Sequence, residues 1–271
     1  MKIALCDKES IFNDINKNYK TIIKCINEAS DKDADLIVFP ESFLTGYSSN
    51  PKNICTISEN SDIIKKILER CVENKISIIL GFNEEDEEDE EDEEHKYIST
   101  LIYDNSKNKI YKYRKTHLGL KEAFIFKEGD KIGNAKINNT KIGINLCLEL
   151  HIPELFLHQA IEGAYLIFIL SASPGACGKR RDIWHKILPA RGNDNTMIII
   201  ALNSYGYTES NARLEGGAAI VNSKGEFIYE NYQGNKIHFI EINFDHLIKR
   251  KNSKKLNYPL KRRKQLFNNS L

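Results

Sequence analysis

Three absences in this sequence each remove a class of function. No apolar run approaches the roughly 20 residues that a membrane-spanning helix requires; Tyr165 to Leu170 and Ile198 to Leu202 are only strand-sized. A membrane role is therefore not expected. Paired CxxC, HExxH and EF-hand spacings are also missing, so no catalytic metal is expected and no cofactor is implied. The third absence is charge of one sign: 39 Lys plus Arg against 38 Asp plus Glu leave a net charge of +1. Such a balanced field gives no reason to expect nucleic acid or another polyanion as partner.

The six cysteines, Cys6, Cys25, Cys55, Cys71, Cys147 and Cys177, are scattered rather than paired. The opening MKIALCDKES is too short and too soon polar for a secretion signal. Together these features lead us to expect a reducing, cytoplasmic setting. What is present is ordinary globular material: 271 residues, 41% hydrophobic and 28% charged. That is enough for one large core and a single domain over 1–271.

Along the chain, short apolar strands alternate with amphipathic segments, and no internal repeat occurs. Strand-like Lys2 to Cys6 precedes apolar residues at helical spacing from Ile11 to Ile26, and a buried-type strand, Leu36 to Phe39, follows. Ser61 can cap a second helix, and the strand Ser77 to Leu80 comes next. This βαβ alternation predicts an α/β fold with a parallel-type sheet covered by helices. Glu84 to Glu94 is a block of like charges, read as a solvated acidic insertion at 84–94. Tyr97 to Asp104 and Lys109 to Tyr113 form a hairpin around Asn105 to Asn108. Then come strand Lys141 to Leu146, a helix opened by Pro153, strand Tyr165 to Leu170, helix Arg181 to Asn195, strand Met197 to Leu202, and late strands at Gly217 to Val221, Phe227 to Glu230 and Lys236 to Ile242. Residues 249–271 form a basic C-terminal arm, read as lying on the domain or on a partner subunit because Leu256, Tyr258, Pro259 and Leu260 interrupt its charge.

Three reactive residues directly follow apolar strands: Glu41, Lys115 and Cys147. In open α/β sheets, ligands bind at the carboxyl ends of strands. A thiol with an ordinary pKa of about 8.5 needs a base or a nearby cation to attack at neutral pH. Glu41 can take that proton if desolvation raises its own pKa, and can later return it to a leaving amine. Lys115 supplies positive charge where an oxyanion develops, and the backbone N–H of Leu148 is a natural second donor.

The segments carrying these residues resemble the signatures of one family. DLIVFPESFLTGY (35–47) is similar to the glutamate motif of the nitrilase, or carbon-nitrogen hydrolase, superfamily; YRKTHL (113–118) resembles its lysine motif, and GINLCLELHIPE (143–154) its nucleophile motif. WHKILPARGNDN (184–195), GGAAIVNSKG (216–225) and Pro259 to Phe267 extend the resemblance over nearly the whole chain. It implies a four-layer α-β-β-α sandwich, a Glu-Lys-Cys triad on Glu41, Lys115 and Cys147, and a homodimer or higher homo-oligomer. It also implies a second glutamate bracing the lysine: Glu122 matches, whereas Glu128 reads as part of a solvated turn.

Around that cluster, Tyr47 and Trp184 are candidate pocket walls from the resemblance, although large aromatics are more often core. Ser171 and Ala172 should border the same mouth, with Cys177 just beyond. Glu149 follows the Cys-x-Glu pattern of several branches, and His151 stands where relatives acting on N-carbamoyl amino acids tend to carry arginine. His117 and His151 also offer a Cys-His pairing, a weaker reading than the lysine-based one. The resulting expectation is hydrolysis of a small linear amide or N-carbamoyl compound (a ureide). Nitrile hydrolysis, acyl transfer to an amine, and a non-catalytic binding protein on the same fold are the alternatives.

Overall fold

The computed structural model describes residues 1–48, 50, 53–86, 95–175 and 177–263. Its first part runs β1 (Lys2–Cys6), β2 (Glu9–Ser10), α1 (Ile15–Ser30), β3 (Leu36–Val38), α2 (Asp62–Glu73), β4 (Ser77–Asp86), β5 (His95–Asp104) and β6 (Lys109–Arg114). Next come β7 (Gly133–Ile137), β8 (Thr140–Leu146), α3 (Pro153–Ile161), β9 (Leu166–Ser171), α4 (Cys177–Asn195) and β10 (Ile198–Asn203). The chain closes with β11 (Tyr205–Tyr207), β12 (Arg213–Glu215), β13 (Ala218–Val221), β14 (Phe227–Asn231), β15 (Ile237–Glu241) and α5 (Asp245–Lys251).

Two six-stranded sheets result, ordered β15-β1-β3-β4-β5-β6 and β14-β13-β10-β9-β8-β7. The parallel pairing expected from the βαβ alternation holds at their centres, β1-β3-β4 and β8-β9-β10. Flanking strands pair antiparallel, so both sheets are mixed. For β5-β6, β7-β8 and β13-β14 the physical reason is connection length: their turns are too short for a crossover and can only reverse direction.

Side-chain alternation then stacks the layers. Ile3, Leu5, Leu36, Val38 and Ile79 of the first sheet share one core with Ile142, Ile144, Leu146, Leu166 and Phe168 of the second. Their sequence neighbours point the other way: Ala4, Cys6, Ile37 and Ile78 pack against Ile22, Ile26, Ile64 and Ile67 of α1 and α2. Ile167, Ile169 and Ile199 pack against Phe156, Trp184 and Leu188 of α3 and α4. Period-2 strands buried on both faces thus yield the expected α-β-β-α order.

Local chemistry sets several boundaries. The Asp14 side chain accepts from the Lys17 N–H at 3.0 Å, capping α1, and Asn13 at φ +58° turns the chain just before it, so Ile11 lies outside the helix. Ser61 caps α2 as anticipated, accepting from the Ile64 N–H at 3.4 Å. One expectation is corrected: Glu84, Glu85 and Asp86 are not solvated insertion but the end of β4. The Glu84 carboxylate is buried, accepting from Ser99 Oγ at 2.5 Å, Lys112 Nζ at 2.6 Å and Arg114 Nε at 2.9 Å, so cations on β6 neutralise what looked like a run that cannot pack. The rest of that run, 87–94, lies outside the described residues. Of the basic arm, the part up to 263 lies on the domain: Thr196 Oγ1 donates to the Leu256 carbonyl and Pro259 is buried.

Candidate active site

The Glu41 turn is built on β4. After β3 the chain passes Pro40 and turns at Ser42, where φ is +53°. Ser42 Oγ donates to Asn83 Oδ1 at 2.7 Å, and the Leu44 N–H donates to the Gly81 carbonyl at 3.1 Å. Gly81 is required here because a Cβ at this position would stand 2.8 Å from the Glu41 Cα. Glu41, 1% exposed, therefore projects from a rigid seat.

Lys115 leaves the end of β6, with its N–H donating to the Ile98 carbonyl and its own carbonyl accepting from the Gly129 N–H. Its Nζ lies 2.8 Å from Glu41 Oε1 and 2.9 and 3.1 Å from the two oxygens of Glu122. Glu122 sits in the short 3-10 turn Glu122–Phe124 and also accepts from the Gly119 N–H and from the Tyr47 hydroxyl at 3.0 Å. Glu128 is exposed and outside this cluster. From the other sheet, the Ala172 N–H just past β9 donates to Glu41 Oε2 at 2.8 Å. One carboxylate thus ties the two sheets together.

Cys147 follows β8 at φ +40°, a left-handed conformation that costs of order 1–3 kcal/mol for a residue with a side chain. Glu149 holds this bend. Its Oε2 accepts from the Leu146 N–H at 2.6 Å, while Oε1 accepts from the Tyr113 hydroxyl and from the N–H and hydroxyl of Thr116. Cys147 shares a cleft of about 680 Å³ with Lys115, Glu122, Tyr47, Leu148 and His151.

Burial, then the Glu41 charge, pushes the Cys147 thiol up to about 11, while Lys115 and Arg180 pull it down. Burial raises Glu41 above the usual carboxylate range, with Lys115 partly opposing. Burial opposes the charge of Lys115, but Glu41, Cys147 and Glu122 more than offset it, keeping the ammonium charged. Burial and the neighbouring carboxylates keep the Tyr47 hydroxyl protonated, so it donates to Glu122. The resting site is therefore a thiol beside a carboxylate-ammonium-carboxylate relay.

Several expected pocket residues stand elsewhere. Glu149 is fully buried behind the nucleophile bend, its oxygens spent on backbone and hydroxyl donors, and does not line the cleft. Trp184 is core: it shares an α4 stripe with Leu188, packs against the second sheet and meets Tyr232 at 5.9 Å. Ser171 is buried in β9, so only Ala172 beyond it touches the cluster. His117 bonds Thr116 Oγ1 through Nδ1 and is not on the cleft wall; the Cys177 side chain is outside what is described.

Sequence reading missed Arg180, Ser173, Thr208 and Ser210, which also line the cleft. Arg180 was hidden because α4 begins at Cys177 rather than Arg181, so it lies in the helix's first turn. The signal was its position four residues before Trp184. Thr208 and Ser210 occupy the tip between β11 and β12, a pair of strands too short to show periodicity.

Comparison with known proteins supports this fold. An (R)-stereoselective amidase from Pseudomonas sp is 22% identical over 249 residues, spanning 91% of this chain and 85% of that protein. The solved structure of NitN amidase from Nesterenkonia sp. AN1 superposes with a TM-score of 0.83 at 22% identity, covering 100% of both chains. A mutant of that amidase in complex with butyramide matches at a TM-score of 0.81 and 21% identity, covering 100% of this chain and 97% of that one. The profile of the carbon-nitrogen hydrolase family matches residues 2–251, and with it the chain belongs to that family, within the nitrilase superfamily.

Proposed function

We propose that this chain is a cysteine amidase that hydrolyses a small linear amide or ureide through Cys147, with Glu41 as proton carrier, Lys115 as oxyanion stabiliser and Glu122 as its brace. The observation that carries the reading is the Lys115 ammonium held at 2.8 and 2.9 Å between two buried carboxylates at the cleft that Cys147 enters. A fixed cation there has no need to reorganise as charge develops on the substrate oxygen.

The cycle begins as Glu41 takes the Sγ proton and the sulfur attacks the carbonyl carbon. The resulting oxyanion faces Lys115 and the Leu148 N–H. Collapse breaks the C–N bond as protonated Glu41 delivers its proton to the leaving nitrogen, so ammonia or an amine departs and a thioester remains. Water, deprotonated by Glu41, attacks that thioester, and the acid and the thiol are released. Support for an amide over a nitrile comes from the relatives, one named an amidase and another solved with butyramide.

The test is to incubate wild type and Cys147→Ala with amides, ureides and nitriles while measuring ammonia and intact mass. A transient acyl adduct on wild type, absent from Cys147→Ala, is expected with amides or ureides. Turnover retained in Cys147→Ala, or turnover abolished by a chelator, would overturn the reading.

A further inference from the structure

Building on the amidase reading, we propose that Arg180 is a specificity determinant that receives a carboxylate of the substrate, making the preferred substrates amides or ureides that carry a second, anionic end. Arg180 lines the same cleft as Cys147, from the first turn of α4. Its guanidinium carbon lies 6.0 Å from the Trp184 ring centroid, so that buried indole forms a fixed platform beneath it. The Nε is buried with no hydrogen-bond partner, and among the described residues Arg180 has no salt bridge.

A guanidinium carries five donors and cannot shed its charge, so leaving it half-buried and unpaired is costly. The acids nearest the chemistry are already engaged. Glu41 is bound by Lys115 and the Ala172 N–H, while Glu122 is bound by Lys115, Gly119 and Tyr47. Glu209 and the exposed Lys121 also line the cleft wall. The hydroxyls of Ser173, Thr208 and Ser210 border the same space and can serve a second carboxylate oxygen. An arginine that lines the cleft on an aromatic platform, with an unpartnered Nε and hydroxyl neighbours, is suited to planar recognition of a carboxylate. The competing role, holding the Cys147 thiolate, would act on every substrate alike.

Isosteric pairs separate these roles: glutaramate against glutaramide and succinamate against succinamide differ in one charge, and the diamide is neutral. For wild type, kcat/KM for the monoamide should exceed that for the diamide by about ten-fold or more. In Arg180→Gln that ratio should fall by about 10- to 100-fold, the range expected for losing a charge-assisted pair, chiefly through KM. Arg180→Lys should restore part of the ratio. An unchanged ratio in Arg180→Gln, with both substrates slowed equally, would overturn the proposal in favour of a role on the thiol, as would a wild type that prefers diamides. A separate arm does not depend on catalysis. Calorimetric binding of glutarate to Cys147→Ala should weaken by about 10-fold or more when Arg180→Gln is added, with thermal melts confirming that both proteins are folded. If no amide is turned over but glutarate binding still depends on Arg180, the amidase reading fails and the anion site stands. If glutarate binds neither protein, the anion site fails.

Discussion

At Cys147 the environment sets both the resting state and its pH response. The thiol is pushed up to about 11 by burial and by Glu41, so little thiolate exists at neutral pH without a base. Glu41 is itself raised by burial, so activity should fall on acidification through a midpoint above the usual carboxylate value of about 4.3, as the base becomes protonated. Replacing Glu41 by Gln removes the base but also the charge that disfavours thiolate. Turnover should drop at least 100-fold, the usual scale for losing general base catalysis, while alkylation of Cys147 by iodoacetamide should titrate at lower pH than in wild type. An upward shift of that titration would contradict the electrostatics. Glu149 shows how an acid beside a nucleophile can be purely positional, because both its oxygens hold backbone that the reaction needs in place.

The strands and their connections explain what could be read in advance. Alternation in β1, β3, β8, β9 and β10 made the layers legible, and the three motif residues were recognisable because each lies just beyond a strand, β3, β6 or β8. The end of β4 was not legible, since the partners of Glu84 sit on β6, beyond a hairpin, and no local pattern announces them. Trp184 was misplaced for a related reason: its neighbours along the helix do not say which stripe faces the sheet. Glu84 allows a direct test. Burial alone would raise its pKa, but Arg114, Lys112 and Ser99 hold it below its ordinary value. Such a lowered carboxylate stabilises the fold above the unfolded value and loses that contribution as pH falls through the folded one. Glu84→Gln should cost about 2–3 kcal/mol in urea titrations at pH 7, and the gap from wild type should narrow below about pH 4. A gap that is constant or grows on acidification would rule out the ion network as its source.

On the scale of the whole molecule, the cluster is composite. Glu41, Lys115 and Glu122 come from the side of the first sheet, and Cys147 and Ala172 from the second. The core between the sheets therefore sets their spacing. Phe168→Ala, in that core, should destabilise by about 3–5 kcal/mol and lower kcat along with stability, measured by paired urea titrations and steady-state rates. A stable variant with wild-type kcat would show that the layers hold register without it. The strand pairing also bears on how the chain is made. Lys2 faces Glu241 across the β1-β15 ladder, while Asp7 accepts from the N–H groups of Gly217 and Lys236. β1 is synthesised long before β15, so one of its edges stays open until β15 has emerged. A nascent chain stalled short of Ile237 would therefore expose an unpaired template beside a nearly finished core, an aggregation-prone state that chaperones would have to shield.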